Sequence, residues 1–290
     1  MKIYDCFIFF NELDLLEIRL KTLDKVVDYF VLVEADKTHR GKKKPLYYEK
    51  NKKRFKRWEK KIIHIIVKDM PKIGISYGKN WKVNSILKGG PWKLEAYQKK
   101  QIARGLKHCD NEDIIMMSDL DEIPRPEKFP EMIKALEGKE KIALFDENFY
   151  NFFFNGFTSS GWTGTRACKF KNLKKMFHMN MNRYRHLWNV SLRIKMYFGK
   201  KIYLIKEGGW HFSFLGGVDS IINKISSICH FEKDTPDNKD PKKILEKIRK
   251  GEFLYDNKKV KYVPIDSSFP GEIYKNQKKY EKYIMPVKAK

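Results

Sequence analysis

Short apolar runs alternate with amphipathic segments up to about residue 145. The runs have β-prone composition and cover Ile3 to Phe9, Tyr29 to Val33, Ile62 to Val67 and Ile114 to Met117. The segments between them have helical patterns and cover Leu13 to Leu23, Glu49 to Lys61 and Leu94 to Leu106. This alternation predicts an α/β layered fold. The run Ile114 to Met117 has no polar alternation, which predicts a strand buried on both faces, as in a parallel sheet.

The pattern changes beyond about residue 145. Aromatic-rich segments appear first, from Phe149 to Phe154 and from Trp162 to Phe170. Four glycines at positions 208, 209, 216 and 217 then indicate a passage of strand, loop and helix. The predicted helix has apolar residues at helical spacing from Val218 to Ile228. From Glu232 onward the chain is rich in Lys, Asp and Pro, and its periodicity is weaker. No obvious linker divides the chain, so we expect a single domain.

Composition adds a strong positive charge to this picture. The 61 Lys and Arg residues exceed the 36 Asp and Glu residues, giving a formal net charge of +25. Such a surplus favours anionic partners, namely nucleic acid, an anionic membrane or a phosphate-bearing substrate. Hydrophobic residues make up 42% of the chain and aromatic residues 14%. This content supplies a core and excludes a disordered basic tail.

No apolar run approaches the roughly 18 residues that a membrane-spanning helix needs. The N-terminal apolar run is interrupted by Asp5 and has no small-residue cleavage site, so it predicts a first strand and not a signal peptide. We therefore expect a cytoplasmic protein, and peripheral contact with a membrane surface is compatible with this location. The cysteines are far apart and form no C-x-x-C pair, which is typical of reduced core thiols: Cys6, Cys109, Cys168 and Cys229.

Three carboxylates follow the predicted buried strand in the sequence Ser118-Asp119-Leu120-Asp121-Glu122-Ile123-Pro124. Open α/β sheets bind ligands at the carboxyl ends of their strands. Carboxylates at i and i+2 of an extended backbone point to the same side, so Asp119 and Asp121 are predicted to bind a hard cation, Mn²⁺ or Mg²⁺, that neutralises a nucleotide diphosphate. The alternative is a solvated turn. The position between a core strand and Pro124 favours the metal site.

A second candidate is His211, which lies in the sequence Gly208-Gly209-Trp210-His211-Phe212-Ser213-Phe214-Leu215-Gly216-Gly217. The glycines permit a close backbone approach, and a neutral imidazole is a ligand for metals such as Mn²⁺. A histidine among aromatic residues is, taken alone, more often part of a core. Together with the distant D-x-D, the interpretation as a metal ligand is the better one. His230 is the competing histidine.

These segments carry a family resemblance. The chain resembles glycosyltransferase family 17, the family of the β-1,4-mannosyl-glycoprotein 4-β-N-acetylglucosaminyltransferases, in IYDCFIFFNELDLLEIRL, VLVEADKTHRGKKKPL, YQKKQIARGL, SDLDEIP, GGWHFSFLGG and INKISSICH. The resemblance covers most of residues 1–232. It implies a GT-A-like, Rossmann-type mixed sheet flanked by helices. The nucleotide-sugar half would cover about 1–125 and the acceptor half about 126–232, with a Lys-rich helical or irregular extension, 233–290, packed on this domain.

The resemblance also implies an inverting transferase that uses a UDP-sugar, UDP-N-acetylglucosamine, and Mn²⁺ or Mg²⁺. Its acceptor would be a hydroxyl of a glycan or glycolipid. Position by position, it implies metal binding by Asp119, Asp121 and His211, and donor or acceptor binding by Glu34 and Lys42. Arg104 and Lys224 are further candidates for contact with the diphosphate. For Arg104, an ordinary position on a helix surface is an equal alternative.

Inverting transfer needs a carboxylate that takes a proton from the acceptor hydroxyl. This base lies across the sugar from the metal, which excludes Asp119 and Asp121. The candidates are Asp219, at a predicted helix start, and Asp146 or Glu147, at the end of the apolar run Ile142 to Phe145, with Asp219 slightly favoured over Glu147. An aspartate in the first turn of a helix also commonly serves only to stabilise the helix dipole. Candidates for stacking on the sugar or the uracil are Tyr150, Phe152, Trp162, Trp188 and Trp210, although most such residues belong to a core.

Two other classes of protein compete with a transferase. The charge favours a basic nucleic-acid-binding protein, but the chain has no C₂H₂, RRM, KH or helix-turn-helix signature, so we expect no nucleic acid partner. The lysines from Lys42 to Lys61 predict contact with an anionic membrane surface. Such contact is compatible with a transferase that acts on a lipid-linked acceptor.

Overall fold

The computed structural model of the protein describes residues 1–72, 90–177, 202–256 and 258–287. Trp188, one of the aromatic residues considered for sugar stacking, lies outside these residues. Among the helices of the described ranges, none combines the length and the apolar character needed to cross a membrane. Three of the four cysteines, Cys6, Cys168 and Cys229, are buried, and all four are free thiols.

One mixed sheet contains all the strands of the described ranges. They are β1 (Ile3–Phe9), β2 (Tyr29–Ala35), β3 (Ile62–Val67), β4 (Ile114–Asp119), β5 (Glu122–Pro124), β6 (Ile142–Asn151), β7 (Gly156–Lys169), β8 (Ile202–Ser213) and β9 (Lys261–Tyr262). Their order is β3-β2-β1-β4-β7-β6-β8-β5, and β9 pairs with β7. Strands β1 to β4 are parallel. Strand β7 runs antiparallel to both of its long neighbours, β4 and β6.

Helices cover both faces of this sheet. They are α1 (Leu13–Leu23), α2 (Tyr47–Lys50), α3 (Pro91–Lys100), α4 (Phe129–Glu137), α5 (Phe170–Phe177), α6 (Gly217–Ser227), α7 (Pro241–Lys250) and α8 (Gly271–Lys275). Longer 3₁₀ segments cover Lys52–Trp58, Gln101–Gly105 and Gln277–Tyr283. The mixed α/β sheet flanked by helices that the sequence predicts is confirmed.

The central strands are buried on both faces because alternate side chains meet different layers of helices. In β1, Phe7 packs in the same core cluster as Leu16 of α1. Its neighbour Cys6 packs in a second cluster with Leu94 of α3. A strand covered on both sides in this way shows no polar alternation.

The predicted helix over Glu49 to Lys61 is a short α-helical turn followed by a 3₁₀ segment. Phe55 and Trp58 are the buried residues of that segment. The backbone at Phe55 has φ −107° and ψ 15°, outside the helical region, so the segment consists of two short turns that meet at a kink. Similarly, the predicted helix over Leu94 to Leu106 is α3 continued by a 3₁₀ segment.

The chain after residue 232 packs on the sheet and on α1. Strand β9 extends the sheet by pairing with β7. Ile273 of α8 is fully buried in a cluster with Leu15 and Ile18 of α1. Ion pairs support this contact, with Lys21 Nζ and Glu272 Oε1 separated by 2.8 Å. The C-terminal segment is therefore attached to the helix that follows the first strand.

Acid should weaken this attachment through Glu17 of α1. Partial burial raises the pKa of Glu17, but hydrogen bonds from Lys21, Lys279 and Arg54 outweigh burial and lower it from 4.5 to about 2. A lowered folded-state pKa means that the ion pairs stabilise the protein at neutral pH, and that this stability is lost as the pH falls from about 4.5 to about 2. We expect Glu17→Gln to lower the free energy of unfolding at pH 7 and to have less than half of this effect at pH 3, which lies between the two pKa values.

Urea unfolding at the two pH values measures this difference. The matched control is Glu246→Gln, which removes an exposed pair with Lys250 on α7 and should change little at either pH, because exposed pairs contribute little. An equal loss for Glu17→Gln at pH 7 and pH 3 would contradict the prediction.

Candidate active site

The acidic segment Asp119 to Glu122 lies at the carboxyl end of the central strand β4. Strand β4 ends at Asp119, the chain turns at Leu120 and Asp121, and β5 begins at Glu122. Leu120 is buried in the core, which anchors the turn. Strand β5 pairs with β8 so that Glu122 lies opposite His211. This register brings the predicted histidine next to the predicted carboxylates.

A buried guanidinium holds the acidic segment in shape. Arg19 of α1 and Asp5 of β1 form a two-bond ion pair with N–O distances of 2.7 and 2.6 Å, and neither side chain is exposed. The remaining donors of Arg19 reach the segment itself. They bond Ser118 Oγ at 2.6 Å and the carbonyl oxygens of Asp119, Leu120 and Glu122 at 3.0, 3.1 and 2.6 Å. One side chain thus fixes the backbone of the whole turn.

Asp121 faces two side chains from the second half of the chain. Its Oδ2 lies 2.9 Å from Nζ of Lys224 on α6 and 3.5 Å from Nε2 of His211 on β8. Burial by itself raises the pKa of Asp121, but the positive charge of Lys224 and the contact with His211 outweigh burial and hold it well below its usual range. The carboxylate is therefore ionised at neutral pH.

Aromatic rings hold His211 in place. Its ring stacks on Phe149 and packs against Trp162, with centroid distances of 4.6 Å in both cases. The side chain is buried, and its Nδ1 has no hydrogen-bond partner within the described ranges. With Nε2 towards Asp121, the ring presents a nitrogen to the carboxylate. His230, the competing histidine, bonds Glu232 instead, at 2.8 Å.

Asp119 faces the opposite side, towards α3. Its Oδ1 lies 2.8 Å from Nζ of Lys99, which also pairs with Glu95 at 2.8 Å. The turn at Leu120 and Asp121 replaces the extended backbone that the sequence argument assumed, so the two aspartates meet different cations. Within the part of the chain that the structure describes, no three His, Cys, Asp or Glu side chains form a group able to hold a metal ion.

A pocket of about 300 Å³ opens beside Asp121 and Lys224. Aromatic side chains and polar side chains share its wall, a combination typical of sites for polar small molecules. The lining includes Glu12, Phe154, Phe212, Ser220, Asn223 and Tyr283. Sequence reasoning missed Glu12. Its position three residues after the end of the first strand, at the carboxyl end of the sheet, was the signal that could have found it.

The contacts described for three other predicted binding residues do not involve the acidic segment. Glu34 is fully buried, accepts the backbone N–H groups of Tyr48 and Glu49, and so anchors the start of α2. Lys42 is exposed in the segment before that helix. Arg104 pairs with Asp69, beyond the edge strand β3, at 2.5 Å.

The two predicted general bases differ in access. Glu147 is fully buried, and its Oε1 accepts hydrogen bonds from the N–H and the hydroxyl of Thr165 at 2.9 and 2.8 Å. Burial, together with the charge of Glu122, raises the pKa of Glu147 well above its usual value. Asp219 is exposed in the first turn of α6. Of these two carboxylates, only Asp219 is exposed to solvent.

The aromatic residues considered for stacking on a sugar lie mostly in the core. Tyr150, Phe152 and Trp210 are buried, with 4% exposure or less. Trp162 packs against His211 and donates its indole N–H to Glu122 at 2.8 Å. Its described contacts therefore support the acidic segment and the histidine.

A family model, Glycosyltransferase family 17, matches residues 1–282. The chain therefore belongs to this family and is a glycosyltransferase, an enzyme that takes a sugar from a nucleotide-sugar donor to a glycan acceptor. The match extends beyond residue 232 through most of the C-terminal segment. No curated protein matches the chain in sequence.

Several solved structures are distantly similar to the chain. They include 4-diphosphocytidyl-2C-methyl-D-erythritol synthase from Anaerococcus prevotii, with 13% identity over 71% of this chain and 87% of that chain and a TM-score of 0.38. The inositol-1-phosphate CTP transferase from T. maritima has 14% identity over 72% and 86%, with a TM-score of 0.38. HddC from Yersinia pseudotuberculosis has 11% identity over 72% and 92%, with a TM-score of 0.39. Likeness at this level says nothing about the reaction.

Removing the guanidinium that holds the acidic segment should destabilise the protein strongly. In Arg19→Met, the carboxylate of Asp5 and three backbone carbonyls lose their partner in the core. Breaking one side of a buried ion pair costs about 3–5 kcal/mol, and we expect a loss of this size in the free energy of unfolding measured with urea. The control Arg57→Met removes an arginine that is 70% exposed and pairs with Asp24. Its expected loss is below about 1 kcal/mol, and similar losses for the two variants would refute the assignment.

Proposed function

We propose that the protein is an inverting, metal-dependent glycosyltransferase that transfers N-acetylglucosamine from UDP-N-acetylglucosamine to a hydroxyl of a glycan acceptor. The observation that carries this proposal is the contact between Asp121 Oδ2 and His211 Nε2, 3.5 Å apart at the carboxyl end of β4. A carboxylate and an imidazole at this edge of the sheet suit a metal that meets a nucleotide diphosphate. Membership of the family supports the choice of donor.

The donor set fits a substrate-bridged cation. Mg²⁺ and similar ions are commonly bound by one or two carboxylates together with substrate phosphates, and not by a cage of protein ligands alone. Asp121 and His211 would hold the ion, which would stabilise the negative charge of the leaving diphosphate. The ionised state of Asp121 agrees with this role. Asp119, the third predicted ligand, would join them only after release from Lys99.

Lysines on two helices supply positive charge for the diphosphate. Lys99 of α3 and Lys224 of α6 lie on opposite sides of the acidic segment, each 2.8–2.9 Å from one of its aspartates. An ammonium group is a compact point charge on a flexible stem, which allows it to pair with phosphate oxygens when they arrive. A few lysines therefore suffice for the donor, whatever the purpose of the remaining surplus charge.

Proton transfer from the acceptor is assigned to Asp219. In an inverting reaction the acceptor oxygen attacks the anomeric carbon while the bond to the diphosphate breaks, and a carboxylate takes the proton of the hydroxyl. Glu147 is enclosed by the sheet, whereas Asp219 is exposed near Ser220 and Asn223, which line the pocket beside Asp121. The acceptor would enter from this side.

The first test is metal-dependent turnover of the donor. With Mn²⁺, the purified protein should slowly hydrolyse UDP-N-acetylglucosamine and release UDP, and a chelator should abolish the reaction. Asp121→Asn should lower the rate at least about 100-fold, since it removes a charge-bearing ligand. The control Asp69→Asn removes an exposed aspartate paired with Arg104 and should retain the rate. Absence of binding and hydrolysis across a panel of nucleotide sugars would reject the proposal, and salt-sensitive binding to DNA or RNA in its place would favour a nucleic-acid-binding protein.

The second test separates the two carboxylates predicted as the base. Asp219→Asn should lower donor turnover about 10²- to 10⁴-fold, the usual contribution of a general base, while calorimetry shows unchanged UDP binding. Glu147→Gln keeps the bonds that the neutral acid makes to Thr165 and should leave turnover within a few-fold of the wild type. The reverse pattern would transfer the role to Glu147 and contradict the assignment.

A further inference from the structure

One carboxylate oxygen of the acidic segment serves two partners. Asp121 Oδ2 lies 3.5 Å from Nε2 of His211 and 2.9 Å from Nζ of Lys224. A cation that binds this oxygen and His211 together therefore competes with Lys224 for it. Lys224 competes for the same negative charge.

The competition is strong because the pair is mostly shielded from water. The side chains of Asp121 and Lys224 are only 13% and 23% exposed. Charges interact more strongly in such surroundings than in bulk water. Helix α6 is held in place by Ile221 and Ile225, both fully buried, so the ammonium stays near Asp121. The positive charge of this ammonium group therefore repels a divalent ion that enters the site without a nucleotide.

A diphosphate removes this obstacle. Lys224 lines the pocket beside Asp121, so its ammonium can turn from the carboxylate towards phosphate oxygens on its flexible stem. Lys99 is less free to do so, because Glu95 and Asp119 both hold it. The nucleotide would take over the positive charge of Lys224 and leave Asp121 and His211 to the metal.

We propose that Lys224 makes metal binding depend on the nucleotide. In the free enzyme its ammonium neutralises Asp121 and weakens the site for a divalent cation; when a nucleoside diphosphate is bound, the ammonium pairs with the phosphates and the metal enters. The inference rests on the proposed function, because it assumes the metal at Asp121 and His211. Such coupling is reciprocal, so the metal raises the affinity for the nucleotide by the same factor.

Titration of Mn²⁺, followed by the electron paramagnetic resonance signal of the free ion, tests this coupling with and without UDP. In the wild type, UDP should tighten Mn²⁺ binding by a factor within the roughly 5- to 150-fold range of coupled sites. In the absence of UDP, the variant Lys224→Met should bind Mn²⁺ at least about threefold more tightly than the wild type. In the presence of Mn²⁺, it should bind UDP more weakly than the wild type, so the coupling factor should fall. A lysine with only a structural role would weaken both when removed.

Two further variants keep the outcome decisive. Lys224→Arg retains the charge and should keep the coupling, and Lys224→Gln replaces Lys224→Met if the latter does not fold. The control Lys61→Met removes a lysine that pairs with Asp24, away from the acidic segment, and should change neither affinity. Binding of Mn²⁺ alone that is no tighter in Lys224→Met and Lys224→Gln than in the wild type overturns the inference. A wild type that binds neither Mn²⁺ nor UDP rejects the proposed function itself, so the two failures are distinguishable.

Discussion

The buried ion pair between Arg19 and Asp5 sets the shape of the acidic segment, and the candidate site depends on that shape. The guanidinium satisfies Asp5 with two of its donors and still reaches Ser118 and three carbonyl oxygens of the turn. Removal of either partner would leave an unpaired charge in the core, which lowers the free energy of unfolding. Because Arg19 belongs to α1 and Asp5 to β1, the packing of the first helix on the first strand determines where the carboxylates point.

Balance of charge is the second constraint on the site. Asp119 and Asp121 are neutralised from different sides, by Lys99 of α3 and Lys224 of α6. The site thus uses very little of the net charge of +25. Other lysines form exposed pairs, such as Lys250 with Glu246, which contribute little to stability. The basic composition that first favoured nucleic acid is therefore a poor guide to an enzyme whose phosphate-bearing partner is a nucleotide sugar.

Much of the fold followed from local pattern, and part of the site did not. The strands around Cys6 and Met116 and the helix after Gly217 lie where the apolar spacing predicts them. The same spacing gave no information on Glu34, whose carboxylate anchors the start of α2. Nor did it place Glu147, which the sheet encloses. Access of a carboxylate to solvent depends on neighbours that are remote in sequence, so the sequence offered these residues as candidates without separating them.

By itself, the sequence determined the α/β alternation, the acidic segment after a buried strand and the glycine-flanked histidine, because side-chain periodicity and short motifs are local properties. Only the tertiary structure decided which charges meet. Lys224 reaches Asp121 across 103 positions of the chain, and Arg19 reaches Glu122 across 103 as well. The register of β5 on β8 puts His211 opposite Glu122. Such contacts arise from the packing of distant elements, and no spacing within one segment encodes them.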